Sequence, residues 1–235
     1  MIVQYWSDFL CPFCYIAATR MKKALKELEL EDETKVVFRA FELYPTAKKE
    51  PHRNIVEAFA RHYGMTPEQA QQRVDYICEM GRGEGLVFNY GTAYNTNSFD
   101  SLRLAKLAQS KGNDFGNVFI ERMYKAFFEE NIIVADHEAL TKVAVEVGMD
   151  PAKVKEVLEG DRYAMEVRRD ESEARMYGIS AVPFFVINDK YGIPGAVDTK
   201  DFKRILMKAY AEEEEESGVS GMVCGPDGCH PADDE

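Results

Sequence analysis

Two cysteines separated by two residues, Cys11 and Cys14, are the side chains of this sequence best suited to covalent chemistry. They stand in the segment DFLCPFCY, between an apolar, β-prone run and a run with helical spacing of its apolar residues. This order predicts that Cys11 lies at the N-terminus of a helix and that Cys14 lies one turn further on. Helix amides and the positive end of the helix dipole favour an anionic sulfur, so we expect a depressed pKa for Cys11.

A dithiol pair of this kind predicts a two-step exchange reaction. Cys11 is the expected nucleophile, and Cys14 is the expected resolving thiol, which closes a disulfide with Cys11 or attacks a mixed disulfide. Pro12 suits the first helical turn, where a missing amide hydrogen costs nothing. We expect Pro12 and Phe13, the pair between the cysteines, to tune the reduction potential and to contact substrate.

The same spacing is also half of a zinc site, and the surrounding sequence must decide between the two interpretations. A strand before the cysteines, a helix directly after them and the later segment AVPFF favour redox chemistry. In that segment Pro183 precedes a predicted strand, where it could adopt a cis bond and bring the backbone of Val182 against the cysteines. Val182 would then pair with a substrate peptide in the manner of a strand. A merely structural proline is the alternative.

The elements that must position these residues are predicted from the periodicity of the apolar residues. The first part of the chain predicts a strand, a helix and a strand at residues 1–7, 12–30 and 35–43. That is the βαβ unit that parallel strands require. Beyond Gly178 the pattern predicts a hairpin and a closing helix at residues 184–187, 191–194 and 199–215.

Between these two parts, residues 51–177 have the pattern of an all-helical insertion. Thr66-Pro67 with Gln69 is a capping box with proline at the first helical position, and Gly81 is the predicted stop of that helix. Further helices are predicted at residues 98–110, 117–129 and 136–147, and from Asp150-Pro151 to Gly160. Residues 81–97, rich in glycine and asparagine, predict a loop. The fold class is therefore α/β with an inserted helical domain.

Composition restricts the partners and the compartment. The chain has 235 residues, 46% of them hydrophobic and 30% charged, as in a globular protein. A formal charge of −12 disfavours binding to nucleic acid and to anionic lipid, and no apolar run has the length of a membrane helix. The N-terminus lacks the pattern of a secretory signal, which predicts a cytoplasmic protein without a disulfide framework.

A second close pair, Cys224 and Cys229, lies near the C-terminus around a Pro-Asp-Gly turn. The pair is either a surface disulfide that forms adventitiously or an internal redox partner that exchanges with Cys11. A zinc site that includes His230 is a third interpretation. Cys78, in an apolar helix, is expected to be structural.

Five further side chains are weaker candidates. Asp8 is expected to cap the first helix or to modulate Cys11, and Glu42 is a candidate buried proton acceptor. His52, His62 and His137 show no spacing typical of a catalytic triad, and we expect them to be surface or hydrogen-bonded histidines.

These features together resemble the DsbA family and, within it, the cytoplasmic FrnE-like branch. The matching segments are Ser7-Asp8 with CPFC and Tyr15, Phe41-Glu42-Leu43 followed by Pro45, Asn95-Thr96 before Leu102-Arg103-Leu104, and GISAVPFFV at residues 178–186 with Gly195-Ala196. They span almost the whole chain. The sequence departs from the pattern at Phe13, where a tryptophan is usual, and at Leu102, where a histidine is common.

The resemblance implies a thioredoxin fold formed by residues 1–50 and 178–216, an inserted helical domain at residues 51–177, and a flexible tail at residues 217–235. It also implies a cis bond at Pro183 and dithiol–disulfide exchange with protein or small-molecule thiols. No cofactor is expected beyond the redox-active disulfide, with glutathione or another thiol as a candidate reductant. The direction of electron flow and the oligomeric state are left open.

Two other functions are compatible with the sequence. One is a glutathione-dependent isomerase or transferase similar to the kappa class and to chromene-carboxylate isomerases, which share this fold and generally lack the dithiol. The other is a metal-binding or chaperone module, in which the thiols bind ions and the helical insertion binds unfolded chains.

Overall fold

A mixed sheet of four strands lies at the centre of the computed structural model. The strands are β1 (Ile2–Ser7), β2 (Lys35–Ala40), β3 (Phe184–Ile187) and β4 (Tyr191–Pro194), in the spatial order β2-β1-β3-β4. β1 runs parallel to β2 and antiparallel to β3, and β3 forms an antiparallel hairpin with β4. The sequence predicted all four strands, and the central position of β1 explains why it is buried along almost its whole length.

The two faces of the sheet are both covered. Neighbouring residues of a strand point to opposite faces, so Tyr5 contributes to the main core, whereas Trp6 packs in a smaller cluster with Ile179 and Val186. The indole nitrogen of Trp6 donates to the carbonyl of Asp170 at 2.8 Å. Tyr5 and Trp6 therefore pack on opposite faces of the sheet.

The first helix, α1 (Pro12–Glu27), provides the crossover between the parallel strands β1 and β2. The last helix, α9 (Thr199–Val219), packs against it. α1 is shorter than the predicted 12–30 helix, because Glu29 adopts a left-handed conformation with a φ of 58° that a continuing helix cannot contain.

Seven helices separate β2 from β3, all within the predicted insertion. They are α2 (Ile55–Tyr63), α3 (Pro67–Gly83), α4 (Phe99–Gln109), α5 (Asn113–Phe128), α6 (His137–Glu146), α7 (Pro151–Glu159) and α8 (Ala164–Met176). The sequence had specified neither α2 nor α8 individually. The domain boundaries themselves stay a prediction.

Local start signals explain two of these helices. Thr66 and Gln69 form the predicted capping box at α3, and Pro67 occupies the first helical position. Asn54 and Glu57 form a second capping box at α2, with each side chain bonded to the other residue's amide. This second box was not predicted, although Asn54 and Glu57 have the required spacing of three.

The predicted helix stop at Gly81 is wrong, because α3 continues to Gly83. Gly81 keeps helical geometry, and its missing side chain makes room for a neighbouring ring. A Cβ atom at Gly81 would stand 2.9 Å from Cε2 of Phe88. The glycine therefore serves packing and not termination.

β2 ends at Ala40, three residues before the predicted end at Leu43. Phe41 N still donates to the carbonyl of Ser7 in β1 at 3.1 Å. The next two amides bond to carboxylates: Glu42 N donates to Glu171 at 3.4 Å, and Leu43 N donates to Oδ2 of Asp8 at 2.7 Å. Side-chain acceptors thus replace the ladder of the sheet at this point.

The helical insertion and the sheet share one hydrophobic core. Phe9, at the end of β1, stacks on Phe38 of β2 with ring centroids 5.4 Å apart. Tyr15 of α1 stacks on Tyr124 of α5 at 4.7 Å. α5 therefore packs directly against the segment that holds the two predicted active cysteines.

The structure describes residues 1–219, 222–225 and 228–231, with side chains for residues 1–215. α9 extends to Val219, so the tail predicted to begin at residue 217 starts inside the helix, whose glutamate run has good helical propensity. Two short strands, Met222–Gly225 and Gly228–Pro231, pair as a hairpin that places Cys224 opposite Cys229. Among the described residues no helix is long and apolar enough to cross a membrane.

Candidate active site

The turn between β1 and α1 carries both predicted active cysteines. Cys11 is the N-cap of α1, with extended backbone angles, and its Sγ accepts a hydrogen bond from Cys14 N at 3.3 Å. Cys14 lies in the first turn of the helix. Both are free thiols, and they are 3% and 0% exposed. The predicted positions at the start of the helix are therefore observed.

The residues between and beside the cysteines complete this turn. Pro12 is buried at the first helical position, and Phe13 is partly buried against the main core. The Val182–Pro183 peptide bond is cis, as the family resemblance implied. The thiol of Cys11 lies 3.8 Å from the carbonyl oxygen of Val182, to which it donates. The fold thus brings together all six residues predicted for the N-terminal site, whose roles stay predictions.

The predicted depression of the Cys11 pKa is wrong for the closed, reduced form. Burial raises the pKa of Cys11 well above the ordinary thiol value, and the neighbouring Cys14 and Asp8 raise it further. The hydrogen bond from Cys14 N lowers the pKa but does not outweigh burial. The sequence showed the helix N-terminus, whereas the removal of water from the sulfur depends on tertiary packing.

Asp8 connects the active-site turn to two other segments. Its Oδ1 accepts from Leu10 N at 3.2 Å, and its Oδ2 accepts from Leu43 N at 2.7 Å and from the hydroxyl of Ser98 at 3.0 Å. Its own carbonyl accepts from Cys11 N at 3.1 Å. Asp8 does not cap α1, because Cys11 occupies that position.

The carboxyl of Asp8 is fully buried, and burial raises its pKa to about 6 despite the three hydrogen bonds it accepts. The negative charge of Asp8 is also one of the causes that raise the pKa of Cys11. The expectation that Asp8 modulates Cys11 is therefore consistent with the electrostatics of the site.

Two buried hydroxyls lie next to the helix that carries Cys14. Ser7 and Tyr124 form a short buried hydrogen bond between their side-chain oxygens. Burial raises the pKa of Tyr124 well above its ordinary value, and so do the charges of Tyr5 and Cys14. Nothing in the sequence around Tyr124 indicates that it lies near a cysteine of the first helix, so the sequence did not identify it as a site residue.

Glu42, the predicted buried acceptor, is held by an ion pair. Its carboxylate accepts from Arg168 at 2.5 Å and from the side-chain amide of Asn97 at 3.2 Å. Burial raises the pKa of Glu42, and the nearby Arg168 lowers it. This side chain links α8 to the segment after β2 and has no contact with the cysteines among the described hydrogen bonds.

The remaining candidates have other surroundings. Cys78 is partly buried in α3, and burial raises its pKa. His137 bonds to Asp100 through Nε2 at 2.7 Å, as expected of a hydrogen-bonded histidine. The side chains of Cys224 and Cys229 lie outside the described part of the chain. Within that part, no group of three His, Cys, Asp or Glu side chains is arranged to hold a metal ion.

Comparison with known proteins agrees with this geometry. A model of the DSBA-like thioredoxin domain matches residues 2–207. The solved structure of a probable DsbA oxidoreductase from Streptomyces coelicolor is 34% identical, covers 98% of each chain and superimposes with a TM-score of 0.85. Protein YwbO of Bacillus subtilis is 29% identical over 217 residues, which are 90% of this chain and 96% of that protein.

A more distant structure has the same fold. The cytosolic disulfide reductase DsbM from Pseudomonas aeruginosa, solved with GSH, is 16% identical, with a TM-score of 0.60 over 90% of this chain and 100% of that chain. The fold class predicted from the sequence, a thioredoxin fold with inserted helices, is confirmed. Because the family model covers most of the residues, this chain belongs to the family of DSBA-like thioredoxin domains.

Proposed function

We propose that this chain is a dithiol–disulfide oxidoreductase in which Cys11 and Cys14 exchange with the thiols or disulfides of proteins or small molecules. One observation carries the proposal. The Sγ of Cys11 stands at a helix N-terminus, 3.3 Å from Cys14 N and 3.8 Å from the carbonyl of Val182. A nucleophilic sulfur, a second thiol one turn away and a strand-like backbone acceptor are the parts that such an exchange needs.

The reductive half of the cycle proceeds in two displacements. Cys11 first loses its proton to solvent. Its thiolate then attacks one sulfur of a substrate disulfide, forms a mixed disulfide and releases one substrate thiolate. Cys14 then loses its proton and attacks Sγ of Cys11, which forms the Cys11–Cys14 disulfide and releases the second substrate thiolate. Two electrons pass from the enzyme to the substrate. The reverse sequence oxidises a dithiol, and an incomplete sequence isomerises disulfides.

The cycle must be closed by a thiol that returns two electrons. We propose glutathione or another small thiol as this reductant. We also propose that the protein is cytoplasmic and belongs to the FrnE-like branch. The Cys224–Cys229 pair is a second candidate, since a tethered dithiol has a high effective concentration at Cys11 when its linker spans the distance. The hairpin register that places these two residues opposite each other supports a reversible disulfide between them.

Replacement of single cysteines tests the proposal. The reduced protein and its Cys11→Ser, Cys14→Ser and Cys78→Ser variants are compared in the reduction of a peptide disulfide. We expect Cys11→Ser to abolish turnover and Cys14→Ser to accumulate a mixed disulfide, detected by mass spectrometry of the intact protein. Cys78→Ser is the matched control and should retain activity.

Two outcomes would contradict the proposal. If Cys14→Ser kept full activity in a glutathione-dependent isomerisation, the chain would work without a dithiol. If the anaerobically purified protein contained stoichiometric zinc, and if dithiothreitol did not change its number of reactive thiols, the cysteines would be metal ligands.

A further inference from the structure

A pocket of about 520 Å³ opens beside the active-site turn, at the start of the helical insertion. Six of its lining side chains matter for the argument: Tyr44, His52, Arg53, Arg61, His62 and Asn95. Among the described residues that line it there is no carboxylate. The volume is within the range of ligand pockets in proteins.

The charge of this pocket is opposite to that of the whole chain, whose formal net charge is −12. Arg53 and Arg61 contribute two guanidinium groups, and neither forms an ion pair with any described residue. Arg20, Arg103 and Arg122, by contrast, each pair with a carboxylate. Two unpaired arginines in one pocket of an acidic protein point to an anionic ligand, for which carboxylate is the common partner.

The pocket is tied to the redox site by a short chain of contacts. Leu43 N donates to Asp8 at 2.7 Å, and Asp8 in turn accepts from Cys11 N at 3.1 Å. Tyr44, the next residue after Leu43, forms the wall of the pocket on that side. Burial raises the pKa of Tyr44, and the charge of Cys11 is among the further causes. Leu43 and Asp8 therefore connect the wall of the pocket to the turn that carries Cys11.

Asn95 narrows the chemistry of the ligand. Its Oδ1 is buried without a hydrogen-bond partner among the described residues. An unpaired buried acceptor is costly, so a ligand that donates a hydrogen bond to it gains affinity. Chloride and sulfate have no such donor, whereas a peptide supplies both a backbone N–H and carboxylate side chains.

From this arrangement we infer that the pocket binds acidic residues next to the cysteine of a peptide or protein substrate, an assignment that rests on the proposed exchange activity. Carboxylates of the substrate pair with Arg53 and Arg61, and a backbone N–H donates to Asn95. The substrate cysteine meets Cys11. The enzyme therefore prefers disulfides in acidic sequence contexts.

Binding is measured first, without redox chemistry. Two short fluorescein-labelled peptides differ only in carrying glutamate or glutamine on both sides of a central serine. By fluorescence anisotropy at low salt, we expect the acidic peptide to bind about tenfold more tightly, since one strong charge-assisted contact contributes roughly that factor. The preference should disappear in Arg53→Gln/Arg61→Gln. It should persist in Arg169→Gln/Arg175→Gln, which removes two exposed arginines of α8 outside the pocket.

Turnover is measured next, with cysteine in place of serine and the peptide joined to 2-nitro-5-thiobenzoate as a mixed disulfide. We expect the ratio of kcat/KM for the acidic and neutral peptides to fall from about ten to about one in the Arg53→Gln/Arg61→Gln variant. Equal binding and equal turnover of both peptides by the unaltered protein would overturn the inference. So would a preference that survives the double replacement.

The two arms separate this inference from the proposed function. If the acidic peptide binds preferentially through Arg53 and Arg61 but neither peptide is reduced, the pocket assignment holds and the proposed exchange activity is wrong. If both peptides are reduced equally well, the exchange activity holds and the pocket assignment is wrong.

Discussion

Asp8 is a buried carboxyl beside the candidate active site. It accepts hydrogen bonds from three segments of the chain, so it holds the turn before Cys11 in place. The same burial makes ionisation costly and raises its pKa to about 6. One side chain thus contributes order to the site and a charge that opposes the thiolate of Cys11.

The first prediction concerns the pH dependence of stability. The folded state holds the Asp8 proton up to about pH 6, whereas the unfolded chain releases it near 3.8, so the folded state binds more protons in between. Asp8 therefore makes the free energy of unfolding fall as pH rises from about 4 to about 6, by roughly 2 kcal/mol. Urea unfolding of the unaltered protein and of Asp8→Asn across this range should show that difference.

The asparagine side chain offers one hydrogen-bond acceptor fewer, which lowers stability at every pH. The test is therefore how the difference in free energy of unfolding between the two proteins varies with pH. Asp201→Asn, at an exposed acidic residue of α9, is the control and should unfold in parallel with the unaltered protein at every pH. Parallel curves for Asp8→Asn as well would show that Asp8 titrates normally.

The second prediction concerns the reactivity of Cys11. The charge of Asp8 raises the pKa of Cys11, so Asp8→Asn should lower that pKa and shift the alkylation of Cys11 to lower pH. The rate of reaction with iodoacetamide is followed between about pH 6 and 10, with peptide mass mapping to count modification of Cys11. Superimposable profiles would exclude a charge effect of Asp8 on the sulfur.

At the scale of elements, the end of α3 decides how the loop after it packs. Phe88, in that loop, stacks on Phe128 with ring centroids 4.6 Å apart and on Tyr15 at 5.9 Å. Gly81 makes room for this ring, whereas nothing lies within 4 Å of a Cβ atom at Gly83. A side chain would therefore clash with Phe88 at Gly81 but not at Gly83.

The third prediction compares these two positions. Gly81→Ala should destabilise the protein by about 1 kcal/mol, since the overpacking against Phe88 exceeds the gain in helix propensity. Gly83→Ala should be neutral or stabilising by up to about 0.5 kcal/mol. The free energies of unfolding in urea give both values, and an equal effect of the two substitutions would refute the packing argument.

At the scale of the whole molecule, Asp170 joins the sheet to the helical layer. The side chain lies in α8, accepts from Ala40 N of β2 at 2.7 Å and forms ion pairs with Arg39 and Lys106. Burial lowers the pKa of Lys106, which the charge of Asp170 opposes. A buried charge pair between layers is costly to break from one side, because the remaining ion loses its partner.

The fourth prediction follows from that asymmetry. Asp170→Ala should lower the free energy of unfolding by about 3 kcal/mol or more, since it removes the carboxylate that pairs with Lys106 and the acceptor of the Ala40 amide. Lys106→Met/Asp170→Ala should lose less than the single variant. Chemical denaturation at neutral pH measures both, with the exposed Asp201→Ala as a control expected to change stability by less than about 0.5 kcal/mol. A double variant less stable than the single one would contradict the explanation.

The sequence by itself determined the features that are encoded locally. The CPFC segment between a strand and a helix gave the positions of Cys11 and Cys14, because capping and helical phase depend on near neighbours. Apolar periodicity and turn residues gave the four strands of the sheet and most of the helices. The position of Pro183 directly before β3, together with the resemblance of the chain to the DsbA family, predicted the cis peptide bond.

The tertiary structure alone decided the environment of these residues. Whether burial or the helix terminus sets the pKa of Cys11 depends on how closely distant segments exclude water from it. The bonds of Asp8 to Leu43 and Ser98 and the contact between Ser7 and Tyr124 likewise join parts of the chain far apart in sequence. Periodicity reports which face of an element is apolar, but it carries no information on which other element covers that face.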